Sequence, residues 1–220
     1  MSLSTNQRLA AIGIRVAAPL KLDDSFQADI ELTLLDGSEE FGRTRDGRLI
    51  GLLCSWIKVH GEFVICEKLG SFARRRGAER PGSALFLAVL AGLAVREGLH
   101  KWKALARRSR KPVYLYGEEV TRSAIEVKGR IGWLAKLNIH AAEGSIRIRE
   151  SDIFSPAELI RANRQYRNRY VYGPSWRADI VTAIEEGAAS PMEVARRTGC
   201  SYEPAHRVFR QVGLARQVGG

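Results

Sequence analysis

The residues best suited to chemistry lie near the end of the chain. Ser201, Tyr202, Glu203, His206 and Arg207 place hydroxyl, carboxylate, imidazole and guanidinium groups in one short stretch. On a helix, offsets of three and four bring such groups to one side. A set like this can read the edges of base pairs. Arginine forks onto the O6 and N7 of guanine, and glutamate accepts from the amino group of cytosine. Ser190, Arg196, Arg197 and Arg210 stand close by and suit phosphate oxygens. Phosphate contacts supply salt-dependent affinity and no sequence information. Arg164 and Arg167 sit in the run Arg164-Gln165-Tyr166-Arg167-Asn168-Arg169-Tyr170, where basic and aromatic residues interleave, and they are added as phosphate candidates.

The elements that must position these groups read as three short helices over Ser175–Gly213. Ser190 is a good N-cap, because its hydroxyl accepts from an orphan N–H of the first turn. Pro191 fits the first helical position, and Glu193 is placed to reach back to the cap's own N–H in a capping box. Gly199 in Thr198-Gly199-Cys200 supplies the positive φ of a sharp turn. Ser201 is set to cap the next helix, with Pro204 still in its first turn. Ala205, Val208 and Val212 then form an apolar strip, and Ile180, Val181 and Ile184 mark the helix before, roughly Trp176 to Glu186. On Ala195, Gly199, Ala205 and Val208 this stretch resembles the bacterial helix-turn-helix regulators, over about 45 residues. The resemblance implies a trihelical, winged-type domain whose last helix reads the major groove of double-stranded DNA, and a homodimer. In many relatives a β-hairpin wing follows the last helix; with the chain stopping at Gly219-Gly220, any wing is expected to be rudimentary.

Composition agrees with a polyanionic partner. The chain has 220 residues and a net charge of +11, with a pI near 10.0. Such a balance favours nucleic acid over a membrane surface. Residues 1–72 carry −2, residues 73–111 carry +9 and residues 112–220 carry +4, so most of the excess lies outside the C-terminal helices. Cys54, Cys66 and Cys200 are odd in number and far apart, which implies no disulfide framework and fits a reducing cytoplasm. Cys54, His60 and Cys66 lack the paired spacing of zinc sites and read as core thiols with a surface histidine. The longest apolar run, Ala84 to Val95, is too short to cross a bilayer and contains Gly92. No signal-peptide pattern opens the chain. No metal, cofactor or catalytic residue is assigned.

These readings give a mostly helical α+β protein. Residues 1–150 form an N-terminal helical and mixed domain for dimerisation or for a small-molecule or protein effector. A connector helix spans 155–171, opened by Ser155-Pro156-Ala157-Glu158 and closed by Gly173-Pro174. Residues 175–220 form the DNA-binding domain. Within the first part, residues 1–22 read as a marginal helix or extended arm. Phe26, Ala28, Ile30 and Leu32 alternate as a strand would, although a helix is also open. Asp36–Gly47 reads as a polar loop. Helices are expected over Arg48–Val59, over a second short segment through Phe72 to Gly77, and over Ser83–Glu97 with Pro81 and Ser83 at its start. Short strands are expected at Pro112–Gly117, Ile125–Val127, Leu137–Ile139 and Ile146–Ile148.

Two alternative functions are carried. Ala124-Ile125-Glu126-Val127-Lys128, preceded by Glu118 and Glu119, faintly resembles the catalytic strand of restriction-type nucleases, where two carboxylates hold Mg²⁺. Gly37-Ser38-Glu39-Glu40 loosely resembles a nucleotidyltransferase start, but the spaced aspartates that bind metal are missing. The second alternative is an RNA- or protein-binding adaptor of a toxin–antitoxin type system, which no motif supports.

Overall fold

The computed structural model describes residues 4–16, 27–79 and 85–218. Among them are twelve α-helices and one pair of two-residue strands, so the protein is mostly helical with a small sheet. Residues 17–22 of the opening segment, Phe26, Pro81 and Ser83, which carried expectations above, lie outside the described residues, as do Gly219 and Gly220.

The chain opens with α1 (Thr5–Ala11), which Ser4 and Gln7 close with a reciprocal capping box. Next comes α2 (Ile30–Thr44), where the alternation had favoured a strand and then a loop. The helix wins because Asp29 caps it, accepting from the Leu32 N–H, while Ile30, Leu34, Leu35 and Phe41 all reach the core. Gly37, taken as a loop signal, lets α2 approach α3 (Gly47–His60): a Cβ there would stand 3.0 Å from Leu53. Arg45 turns the chain between them in the left-handed conformation, and Asp46 caps α3. The helices α4 (Cys66–Glu79) and α5 (Leu87–Arg96) follow.

Beyond α5 a short 3₁₀ segment, His100–Ala104, carries part of the basic stretch and buries Trp102. The sheet pairs β1 (Val113–Tyr114) in parallel with β2 (Ile139–His140). Between them run α6 (Glu118–Lys128) and α7 (Gly132–Ala135). Residues 125–127, expected as a strand, therefore belong to a helix. Glu118 and Glu119 favour its N-terminal end, and Glu118 pairs with Arg122 one turn on at 2.8 Å. Residues 146–148 form no strand.

The expected single helix over 155–171 is two, α8 (Pro156–Ala162) and α9 (Arg164–Tyr172). Asn163 takes extended backbone angles between them and caps α9 by accepting from the Tyr166 N–H. Its amide donates to the carbonyls of Ala11 and Ala28, which fixes the break inside the protein. Three helices complete the chain: α10 (Trp176–Glu185), α11 (Pro191–Thr198) and α12 (Tyr202–Val218). Apolar side chains collect in two clusters. One fills the body built from α1 to α9, and the smaller joins α10, α11 and α12.

A buried ion network joins the two. Arg169 of α9 is fully buried and uses all five guanidinium donors. It grips Glu31 at 2.6 and 2.7 Å, Asp179 at 2.8 and 2.9 Å, and the Phe63 carbonyl at 3.0 Å. The Lys68 ammonium of α4 meets Asp29, Asp179 at 2.5 Å and Glu31 at 3.2 Å. Gln165 adds an amide donor to Asp29 and Asp179 and accepts from the Ile30 N–H. Burial alone would raise the Asp179 carboxyl, but Arg169 and Lys68 outweigh it and hold it below the usual range. Losing one member of such a network leaves an uncompensated buried charge. Arg169→Met should therefore lower unfolding free energy by about 3–5 kcal/mol. Urea titration at neutral pH checks this, and a loss below about 1 kcal/mol would show the network to be replaceable by packing alone.

His60, expected at the surface, is fully buried. Its Nε2 lies 2.8 Å from the Phe154 carbonyl and its Nδ1 2.9 Å from the Tyr166 hydroxyl. A carbonyl only accepts, so Nε2 carries the proton and Nδ1 accepts from tyrosine. Desolvation lowers the imidazole pKa to about 4, although the bond to Phe154 works the other way. Below the ordinary value of 6.5 the unfolded chain gains a proton that the folded chain refuses. Stability is therefore full at neutral pH and falls as pH drops from 6.5 toward 4, by about 3 kcal/mol from this group. Urea titrations at pH 7 and pH 4 should show that loss in the wild type beyond whatever His60→Gln loses. Parallel losses in the two proteins would rule His60 out as the cause.

Candidate nucleic-acid interface

The three C-terminal helices form around their own small core. Ile180, Val181 and Ile184 of α10, Val194 of α11, and Ala205 and Val208 of α12 are buried together, with Val212 half-buried beside them. Ser190 caps α11 by accepting from the Glu193 N–H at 3.2 Å, with Pro191 in the first turn. The Glu193 carboxylate reaches past the cap residue to the Ala189 N–H at 2.9 Å, so the expected bond to the Ser190 N–H is replaced by one residue's shift. Gly199 ends α11 at φ 80°, in the left-handed conformation that its position required. Thr198 steadies the turn, donating to the Val194 carbonyl at 2.9 Å and accepting from the Cys200 N–H at 3.3 Å. The helix α12 continues as far as Val218, the last described residue, so the expected rudimentary wing lies outside the described residues.

Four of the five base-reading candidates stand on the outer side of α12, and Ser201 directly precedes it. Ser201, Tyr202, Glu203, His206 and Arg207 are all exposed, and Tyr202 stacks on His206 at 5.7 Å between ring centres. Arg210 is exposed on the same helix, and Arg196 is exposed on α11. None of Arg196, Arg207 and Arg210 has an ion-pair partner among the described residues.

The other phosphate candidates fare differently. The Arg197 guanidinium pairs with Glu193 and donates to the Glu186 carbonyl, so it braces α11 against the end of α10. The Ser190 hydroxyl is committed to its cap. Arg167 is exposed but pairs with Glu185 of α10 at 3.3 Å, and Arg164 is half-buried at the start of α9. Among the tyrosines and arginines of α9, Tyr166 and Arg169 are buried, while Tyr170, Tyr172 and Arg167 are exposed.

One cation missed in the sequence sits beside the α11–α12 turn. Arg75 of α4 is exposed, lies over the Phe72 ring at 4.9 Å and stands 3.4 Å from where a Cβ on Gly199 would be. The run Arg74-Arg75-Arg76 was visible, but only the fold brings its middle member to this turn. Arg76 is instead taken up by Asp36 and Glu39.

Three carboxylates, Asp29, Glu31 and Asp179, bring oxygens within 4.8 Å of one another, as a metal site would. The Lys68 ammonium already stands among them, so the cation they answer to belongs to the protein. Glu126 and Lys128 are exposed on the helix α6, so the strand that the nuclease resemblance needs is missing there. Among the described residues no helix is long and apolar enough to cross a membrane. No protein-family model, curated protein or solved structure matches the chain.

Gly199 offers a direct test of how the turn is seated. A Cβ at Gly199 would meet the left-handed strain and also stand 3.1 Å from Phe72, whereas Gly187, at φ 84°, has nothing within 4 Å. Both alanine variants should lose about 1–2 kcal/mol from backbone strain. Thermal melting should place Gly199→Ala below Gly187→Ala. Equal melting temperatures would mean that α4 yields freely at this contact.

Proposed function

We propose that this chain binds double-stranded DNA in a sequence-specific way, as a bacterial-type transcriptional regulator, with α12 entering the major groove. The observation that carries the reading is the two-sided character of α12. Its inner side is held by Ala205 and Val208, while Ser201, Tyr202, Glu203, His206 and Arg207 stand exposed on the other. Unpaired arginines flank that side. Arg196 and Arg210 replace Arg197 as the leading phosphate contacts, because Arg197 already has partners. Arg75 is added at the edge nearest α4. The polypeptide acts as a homodimer in this reading, since a single recognition helix reaches too few base pairs alone. The remaining basic excess in residues 73–111 raises the local concentration of duplex by long-range attraction.

The test begins with selection of preferred duplexes from a random pool, followed by anisotropy titrations over a salt series. Arg207→Ala should cut the preference for the selected duplex over a random one by roughly 1–3 kcal/mol. Arg196→Ala should weaken both duplexes alike and lower the slope of log affinity against log salt by about one. Failure to enrich any sequence, or an equal loss of preference in both variants, would remove the regulator reading.

A further inference from the structure

The helix α4 presents two stripes. One carries Lys68, Leu69 and Phe72 inward, to the ion network, the main core and the turn at Gly199. The other, Cys66, Glu67, Gly70, Ala73 and Arg74, follows the helical period along one wall of a groove of about 830 Å³. That volume is in the range of small-molecule sites. Ile65, Leu87, Leu105 and Ile139 supply apolar surface, and Pro174 lines the groove beside the start of α10. Gly70 lets α4 approach the opposite wall closely, since a Cβ there would stand 3.2 Å from Leu105.

The charges around the groove are almost all of one sign. Arg74, Arg107 and Arg108 line it, are exposed and have no ion-pair partner among the described residues. Lys101 adds a fourth positive charge, its ammonium held by the carbonyls of Glu62 and Val64. The one acid along the lining, Glu67, accepts from the indole N–H of Trp176 on α10 at 3.3 Å. Guanidinium groups bind carboxylates in paired, directional fashion. An apolar trough with unpaired arginines at its edge is thus complementary to a molecule that is greasy along its body and anionic at one end.

We infer that this groove binds a small molecule carrying a carboxylate on an apolar skeleton, and that α4 transmits its occupancy to α10–α12. Three contacts supply the transmission: Glu67 with Trp176, Lys68 with Asp179, and Phe72 with Gly199. A ligand that favours one setting of α4 biases all three at once, and the energy available is its difference in affinity for the two settings. The binding site stands on its own; that occupancy alters DNA affinity rests on the function proposed above.

Two dyes with one ring system give the test on the full chain. These are 1-anilinonaphthalene-8-sulfonate, which is anionic, and N-phenyl-1-naphthylamine, which is neutral. The wild type should bind the anionic dye at least about tenfold tighter. Decanoate or 2-naphthoate should displace it, and the better competitor tells an acyl from an aromatic skeleton. Arg74→Glu combined with Arg108→Glu changes two exposed residues; it should erase the preference while the neutral dye still binds. Ala73→Leu, which fills the trough, should weaken both dyes. No binding, equal affinity for the two dyes, or an unchanged preference in the reversed-charge variant would each overturn the site. Hydrogen exchange of the α10–α12 amides, with and without decanoate, reads the transmission without any DNA. Unchanged exchange at a saturated site would overturn that half. A shift in exchange with no duplex binding would instead count against the DNA reading alone.

Discussion

The C-terminal helices hold their place through Arg169. Five donors on one buried guanidinium meet two carboxylates and a carbonyl, and these partners come from α2, from α10 and from the segment before α4. Burying so many charges is favourable only when each lone pair and proton has a partner. Here Lys68, Gln165 and the Ile65 N–H supply what Arg169 leaves over. In the arrangement seen here these groups are satisfied together.

The network also shows why α4 matters more than its composition suggests. It is a polar helix, rich in arginine, and yet it meets the ion network, the main core, the acids of α2 and the turn at Gly199. Lys68 belongs to the network, Leu69 and Phe72 to the main core, Arg76 to the acids of α2, and Arg75 to the turn at Gly199. The charge excess of residues 73–111 is thereby divided among separate tasks. Part is neutralised inside the protein, and part remains on two exposed edges, one along the groove and one beside the C-terminal helices.

Much of the C-terminal arrangement was legible in the sequence, because its signals are local. Ser190, Pro191 and Gly199 state a helix start and a helix stop with little help from elsewhere, and Ala205 and Val208 mark the inner side of the helix that follows. The mostly helical class and the helix over Arg48–Val59 were legible for the same reason. The errors came where distant partners decide. Ile30 and Leu32 alternate like a strand, but Asp29 caps a helix there and Gly37 is needed for packing against Leu53. Asn163 gives no sign that it will break a helix until the carbonyls of Ala11 and Ala28 are brought to it. His60 and Arg169 have the residue types of a surface; only a fold that surrounds them with complementary partners puts them inside. Glu31 and Asp179 were silent in the sequence for the same cause.

The network bears on motion as well as placement. Glu31 accepts from the Ile65 N–H, and Arg169 holds the Phe63 carbonyl, so the segment leading into α4 is secured by the same groups that secure α10. Gly173-Pro174 has the composition of a swivel, but the charges on either side of it are already locked. The last three helices cannot swing outward as a free arm without exposing five ionic groups and loosening the 61–66 segment. Movement that keeps those pairs is restricted to small rotations of helices within a closed frame.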